Sequence, residues 1–190
     1  MIYTVGHSNQ PLERFAAILR QHAITALADV RSSPYSRFNP QFNRESLKNS
    51  LAQVGIKYVF LGEELGARTK DRSCYAAGKV SYARLAATEL FQHGLDRLQS
   101  GMREHRIAMM CAEKEPLECH RTILVARQLV NRSVSVRHIL GDGSVEPHDE
   151  LVARLRRSLD LPEHDMFRSD DELTNEAYER QGQRIAYVEP

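Results

Sequence analysis

Five short apolar runs, regularly interrupted by helix-patterned stretches, constrain this chain more than any other feature. They are Ile2–Val5, Ala26–Val30, Lys57–Leu61, Ile107–Cys111 and Val134–Leu140. Each is strand-sized and rich in apolar residues, as expected of buried strands. After Gly6, Asn9 is placed to cap a helix with Pro11 in its first turn. Leu12, Phe15, Ala16 and Leu19 then share one helical face. Arg44–Val54 reads as a second helix ended by Gly55. Ser81–Gln99 reads as a long third one, with Phe91, Leu95 and Leu98 on one stripe. His120–Asn131 is apolar almost all round, which predicts a buried helix. Asp149–Leu161 carries Leu151, Leu155 and Leu159 four residues apart and is closed by Pro162. Strands alternating with helices imply βαβ units. The expected fold is therefore a three-layer, Rossmann-like α/β fold on a mainly parallel sheet of about five strands.

A chain of 190 residues suits one such domain, read here as residues 1–161, with an acidic extension over 162–190. The charge asymmetry marks that boundary. Residues 1–140 hold 20 Lys and Arg against 12 Asp and Glu, whereas 141–190 hold 6 against 13. A basic body is compatible with an anionic partner, and equally with an ordinary solvated surface. The apolar runs are too short to span a membrane, and the N-terminus lacks the charged and apolar regions of a secretion signal. Three cysteines, an odd number without framework spacing, point to a reducing compartment and hence the cytoplasm. Ile185–Val188 reads as a short edge strand or a loose end.

Parallel sheets place ligand sites at the carboxyl ends of their strands. The polar residues after each run are therefore the candidates. His7 follows the first run, and its imidazole titrates near neutrality, as a general acid or base must. Asp29 ends the second run, where a carboxylate needs a partner, and Arg31 is the nearest. Arg68 follows the third run on a glycine-bearing turn, Gly62–Arg68. The densest cluster lies after the fourth run: Glu113, Cys119, His120 and Arg121, with Cys111 at the strand end. A thiol at a helix start is activated by amide donors, and Arg121 offers a fork for phosphate or carboxylate. Cys111 has the place of a phosphatase or rhodanese cysteine, but the loop after it has three glutamates and no glycine, which argues against that chemistry. His7, Asp29, Glu113, Cys119 and His120 are thus the catalytic candidates, and Arg31, Arg68 and Arg121 the anion-binding ones. No Cys-x-x-Cys or His-x-x-x-His pair is present, so no metal site is expected. Cys74 and His138 stand apart from the cluster.

Thr4–Ser8, Asp29-Val30-Arg31-x-x-Pro34, Leu61–Arg68 and Cys111-Ala112-Glu113 followed by Cys119-His120-Arg121 and His138-Ile139 resemble the domain-of-unknown-function family numbered 488. The resemblance covers roughly residues 1–140. It implies an α/β fold and a shared site, but transfers no reaction and no cofactor. The Gly62–Arg68 segment departs from the tighter double-glycine turn that the resemblance would imply.

Three functional readings follow. The first is a small enzyme acting on an anionic, phosphate-bearing substrate, a nucleotide or nucleic acid among them. The second is a non-catalytic nucleic-acid-binding module. It draws on the stretch from Arg31 to Lys57, where Tyr35, Phe38 and Phe42 interleave with Arg37 and Arg44. The third is a thiol-dependent transferase or redox protein built on Cys111 and Cys119. The first is preferred because acid–base and nucleophilic residues outnumber what a backbone-binding surface needs.

Overall fold

Each of the five apolar runs becomes a strand, and the polar stretches between them carry helices. The computed structural model describes residues 1–189. Strand β1 (Ile2–Gly6) leads through α1 (Leu12–Gln21) to β2 (Ala26–Asp29), and α2 (Arg44–Gln53) leads to β3 (Lys57–Phe60). Then come α3 (Gly62–Leu65), a small hairpin of β4 (Tyr75–Ala76) and β5 (Lys79–Val80), and the helices α4 (Tyr82–Ala86) and α5 (Glu89–Gly101). Strand β6 (Ile107–Cys111) precedes a π-helical segment, Arg121–Ala126, that runs into α6 (Arg127–Asn131). The chain ends in β7 (Val136–Ile139), β8 (Val145–Pro147), α7 (His148–Ser158) and α8 (Asp170–Ile185).

The main sheet has the order β3-β2-β6-β1-β7-β8. All neighbours are parallel except β8, which pairs antiparallel with β7. This sixth strand is not among the five apolar runs. It is a half-buried edge ending in Pro147, and proline is tolerated at such an edge.

Alternation along the strands builds two cores. Ile2, Ala28, Met109 and Val136 face Phe91, Leu95 and Leu98 of α5 and Leu124 and Leu129 near α6. Tyr3, Val5, Leu27, Met110 and Ile139 face Phe15 and Leu19 of α1 and Leu47 and Leu51 of α2. The result is three layers. Each fully buried Leu or Phe contributes about 1.5–3 kcal/mol of burial, so Phe15→Ala alone would cost about 3–5 kcal/mol.

Three local expectations change. α1 starts at Leu12 with Pro11 in extended conformation at its N-cap, while the exposed Asn9 side chain accepts from Ser8 Oγ. The expected long helix over 81–99 is two helices. Thr88 adopts an extended conformation and its side chain accepts from Phe91 N–H, restarting the helix with a new N-cap. Beyond Pro162, α8 opens on a capping box, Ser169 with Glu172. It packs Ala177 and Tyr178 against Leu117, Ile123, Leu151 and Leu155. No described helix is long and apolar enough to cross a membrane.

Candidate functional site

The carboxyl ends of β2, β6 and β1 lie side by side, and main-chain hydrogen bonds carry their register into the loops. His7 N–H donates to the Cys111 carbonyl (2.9 Å), Ser8 N–H to that of Ala112 (2.9 Å), and Val30 N–H to that of Met110 (3.1 Å). The loops bearing His7, Arg31 and Glu113 are thereby held together. A Cβ at Gly6 would run into the carbonyl oxygen of Glu113, and one at Gly62 into that of Arg31. Glycine is required there because backbones approach so closely.

One network centres on Arg31. Its Nε and Nη2 donate to the two carboxylate oxygens of Asp29 at 2.9 and 2.6 Å. Nη2 also donates to the Phe42 carbonyl (2.8 Å), and Nη1 to His7 Nε2 (3.1 Å). Four of the five guanidinium donors are thus engaged. Asp29 is fully buried and accepts a further bond from Tyr58 O–H at 2.7 Å. His7 donates from Nδ1 to the Ser8 carbonyl (2.7 Å) and stacks on Phe42 with ring centroids 4.3 Å apart. Burial, with Arg31 adding to it against the Ser8 bond, lowers the His7 imidazole to about 4, so it is neutral at pH 7.

The second network joins Cys111, Glu113, Cys119, His120 and Arg121. Strand β6 ends at Cys111, and the turn Pro116–Glu118 brings the chain back so that Cys119 lies beside it. Cys119 Sγ is 3.0 Å from Glu113 Oε2. Two anions cannot sit so close, so thiol and carboxyl share one proton. Burial pushes Glu113 up, and Cys119 adds to it. Burial also acts to raise Cys119, but the Cys111 S–H, the Arg121 guanidinium and His120 outweigh it and hold this thiol well below its ordinary value. Cys111 is pushed well above, first by burial and then by Cys119. His120 Nε2–H donates to the Val30 carbonyl at 3.0 Å, and Nδ1 lies 3.7 Å from Cys111 Sγ and 3.9 Å from Cys119 Sγ. Arg121 is wholly buried yet meets no carboxylate among the described residues. It donates to the carbonyls of Glu113 (2.7 Å) and Lys114 (3.3 Å), and its Nε has no partner. The negative charge that Arg121 favours on Cys119 compensates it.

A cleft of about 410 Å³ opens over this edge, a size that suits a small organic ligand. Arg31, Arg68, Cys111, Glu113 and His120 line it, with Ser32, Ser33, Tyr35 and Tyr82. Ile185 and Tyr187 close it from the end of the chain. Arg68 lies 4.8 Å over the Tyr187 ring and has no ion-pair partner among the described residues. His7, Asp29, Cys119 and Arg121 lie behind the wall. Two larger hollows, of about 650 and 1180 Å³, are lined by no cysteine.

Sequence reasoning overlooked Tyr82 and Tyr187 on the cleft wall, and left Cys111 outside the catalytic set. It also overlooked a buried polar chain: Thr4 Oγ1 to His138 Nδ1 (2.8 Å), His138 Nε2 to His148 Nδ1 (2.9 Å), and His148 Nε2 to Tyr178 Oη (2.7 Å). Only His138, a polar residue inside an apolar run, signalled it. Within the aromatic–arginine stretch, Phe42 is core and Arg44 stacks over Phe60 at 4.6 Å, whereas Tyr35 and Phe38 are 62 % and 90 % exposed. Cys111, Cys119 and His120 place three soft donor atoms within 4.8 Å of one another, a set that can hold a metal ion.

Fold and cleft together define a small Rossmann-like α/β protein with a thiol–imidazole–carboxyl cluster at the carboxyl edge of its sheet. Residues 11–128 match the model of the family described as Domain of unknown function DUF488, and the chain belongs to that family. The match spans the Asp29–Pro34 and Cys111–Arg121 segments. Neither the curated proteins nor the solved structures searched contain a match to it.

Proposed function

We propose that the protein is a small enzyme acting on an anionic substrate of nucleotide size, bound in the cleft over the carboxyl edge. The observation that carries this reading is that Arg68, a guanidinium with no ion-pair partner among the described residues, lines the same cleft as Cys111, Glu113 and His120. Arg68 and the Ser32 and Ser33 hydroxyls offer donors to a phosphate or carboxylate, and Tyr35 and Tyr187 offer faces to a planar group. Glu113 serves as the proton-holding acid, sharing its proton with Cys119, and His120 steadies the thiolate. His7 and Asp29 act through Arg31, as positioning residues. Arg31 keeps one free donor for the ligand, and Arg121 balances the thiolate charge from behind.

The test is a melting-temperature series with mononucleotides and inorganic phosphate on the wild type and on Arg68→Ala. A ligand at about 100 times its Kd stabilises the folded state by about 2.7 kcal/mol. A clear upward shift in the wild type, lost in Arg68→Ala, is expected. No anion-specific shift, or the same shift in Arg68→Ala, would overturn the reading. The adjacency of Cys111 and Cys119 favours a thiol-dependent transferase or redox protein as the second reading. Loss of turnover on thiol alkylation, with anion binding absent, would select it. Salt-sensitive binding of arbitrary nucleic acid through the exposed Tyr35 and Phe38, without turnover, would instead select a binding module.

A further inference from the structure

We infer that Cys111, Cys119 and His120 form a binding site for one zinc-class divalent cation, with a fourth coordination position open to the cleft. The inference stands on the donor geometry and is independent of which substrate the cleft takes. In a tetrahedral zinc site, with Zn–S about 2.3 Å and Zn–N about 2.0 Å, a ligand sulfur and a ligand nitrogen lie about 3.6 Å apart. His120 Nδ1 stands 3.7 and 3.9 Å from the two sulfurs, and all three donor atoms fall within 4.8 Å of one another. The site is therefore spaced for a metal with little rearrangement.

The orientation of the imidazole is a second, independent pointer. Nε2–H is tied to the Val30 carbonyl at 3.0 Å, which leaves Nδ1 as the ring atom that faces both sulfurs. Metal-bound histidines are held in the same way, the far N–H donated to a carbonyl or carboxylate that fixes tautomer and ring plane. Two cysteines and one histidine are soft and borderline donors, which select zinc over magnesium or calcium. Two thiolates neutralise the dication. Metal binding displaces the Cys111 proton, the proton that Cys119 shares with Glu113 and the proton with which His120 Nδ1 steadies the thiolate. Glu113 is then left as a carboxylate on the residue whose main-chain carbonyl Arg121 already holds. Of the three ligands, Cys111 and His120 line the cleft and Cys119 lies behind. A water or a substrate oxygen would complete the tetrahedron from the cleft side, the arrangement of zinc sites with three protein ligands. Spacing hid the site, because eight residues separate the cysteines and only the β6 end and the return turn bring them together.

The test uses the full chain, stripped with a chelator under reducing conditions and titrated with Co²⁺ and then Zn²⁺. One equivalent should bind, with the thiolate-to-cobalt charge-transfer absorption and the intense visible bands of tetrahedral cobalt. Cys111→Ser and His120→Ala should each weaken binding about tenfold or more, while Cys74→Ser, buried elsewhere in the core, should leave it unchanged. Circular dichroism establishes that each variant is folded. Should neither ligand variant fold, peptide-mapped alkylation of the wild type decides. Zinc should slow modification of Cys111 and Cys119 and spare the rate at Cys74. Absence of a stoichiometric complex, binding without the thiolate absorption, unchanged affinity in folded Cys111→Ser, or equal alkylation rates with and without zinc would each overturn the inference.

Discussion

Acidification from pH 6.5 to 4.5 is expected to unfold this protein by forcing protons onto three buried imidazoles. His7 and His148 are each held at about 4, and His138 well below its ordinary value, in every case first by burial. Their nitrogens are already committed. A proton on His7 Nε2 would face the Arg31 donor, and a proton added to the accepting nitrogen between His138 and His148 would set one N–H against another. In the unfolded chain the same groups titrate near 6.5. Between about 4 and 6.5 the unfolded state therefore binds more protons than the folded state. Stability is complete above this window and falls as pH drops through it. Each histidine contributes about 1.4 kcal/mol per pH unit, so three give a slope of about 4 kcal/mol per unit near pH 5. Glu113 works in the opposite sense, since its raised carboxyl keeps a proton that the unfolded chain releases, and trims the slope. Burial acts to lower His120, but the bond to Cys119, the charge of Cys119 and the bond to Val30 together outweigh it and raise the imidazole. Its contribution is fully present below about 6.5 and adds no slope further down. The loss over the window is about 6 kcal/mol, comparable with the whole stability of a domain. Urea unfolding followed by circular dichroism at half-unit pH steps measures it. His138→Asn should lower the slope by about one proton. A wild-type slope below one proton between pH 6 and 5, or slopes unchanged in both His7→Asn and His138→Asn, would refute the reasoning.

Asp29→Ala should cost about 3–5 kcal/mol in urea unfolding, because it leaves the Arg31 guanidinium buried and unpaired; a loss under 1 kcal/mol would show that Arg31 reaches solvent. Gly6→Ala should destabilise by about 1–3 kcal/mol as the new methyl meets the Glu113 carbonyl, whereas Gly55→Ala, with open space around its Cβ but a φ of +74°, should cost only backbone strain of about 1 kcal/mol. Removing residues 163–190 should lower stability by about 3–6 kcal/mol, the burial of Leu173 and Tyr178; a truncated chain with unaltered melting temperature would show that α8 adds nothing. Freshly unfolded protein, prepared without added oxidant, should titrate as three free thiols, and any lower count would contradict the free state of Cys111 and Cys119.

Local chemistry made the sheet legible. Ile2–Val5, Ala26–Val30 and Ile107–Cys111 are strands because runs this short and apolar, bounded by turn residues, suit a doubly covered sheet better than a helix. The polar residues just after them must then share one edge, which is why His7, Arg31 and Glu113 could be grouped from the chain alone. Their roles were not legible, because a role depends on what a side chain touches. Asp29 and Arg31 look alike as site residues in the sequence, but packing engages the guanidinium four times over and leaves Arg68 as the unpaired cation on the cleft wall. Thr88 could not be told from a residue inside a helix, since a side chain that caps in one context is tolerated within a turn in another. Cys111 and Cys119, eight residues apart, became neighbours of one imidazole only through the return of the Pro116–Glu118 turn. The acidic end of the chain, sparse in large apolar residues, gave no sign that Tyr178 would reach His148 or that Tyr187 would stack beneath Arg68. Strand identity is set by residues adjacent in sequence, and that information is local. Side-chain partnership joins residues from different elements, from eight positions apart for Cys111 and Cys119 to more than a hundred for Arg68 and Tyr187, and only the folded chain brings them together.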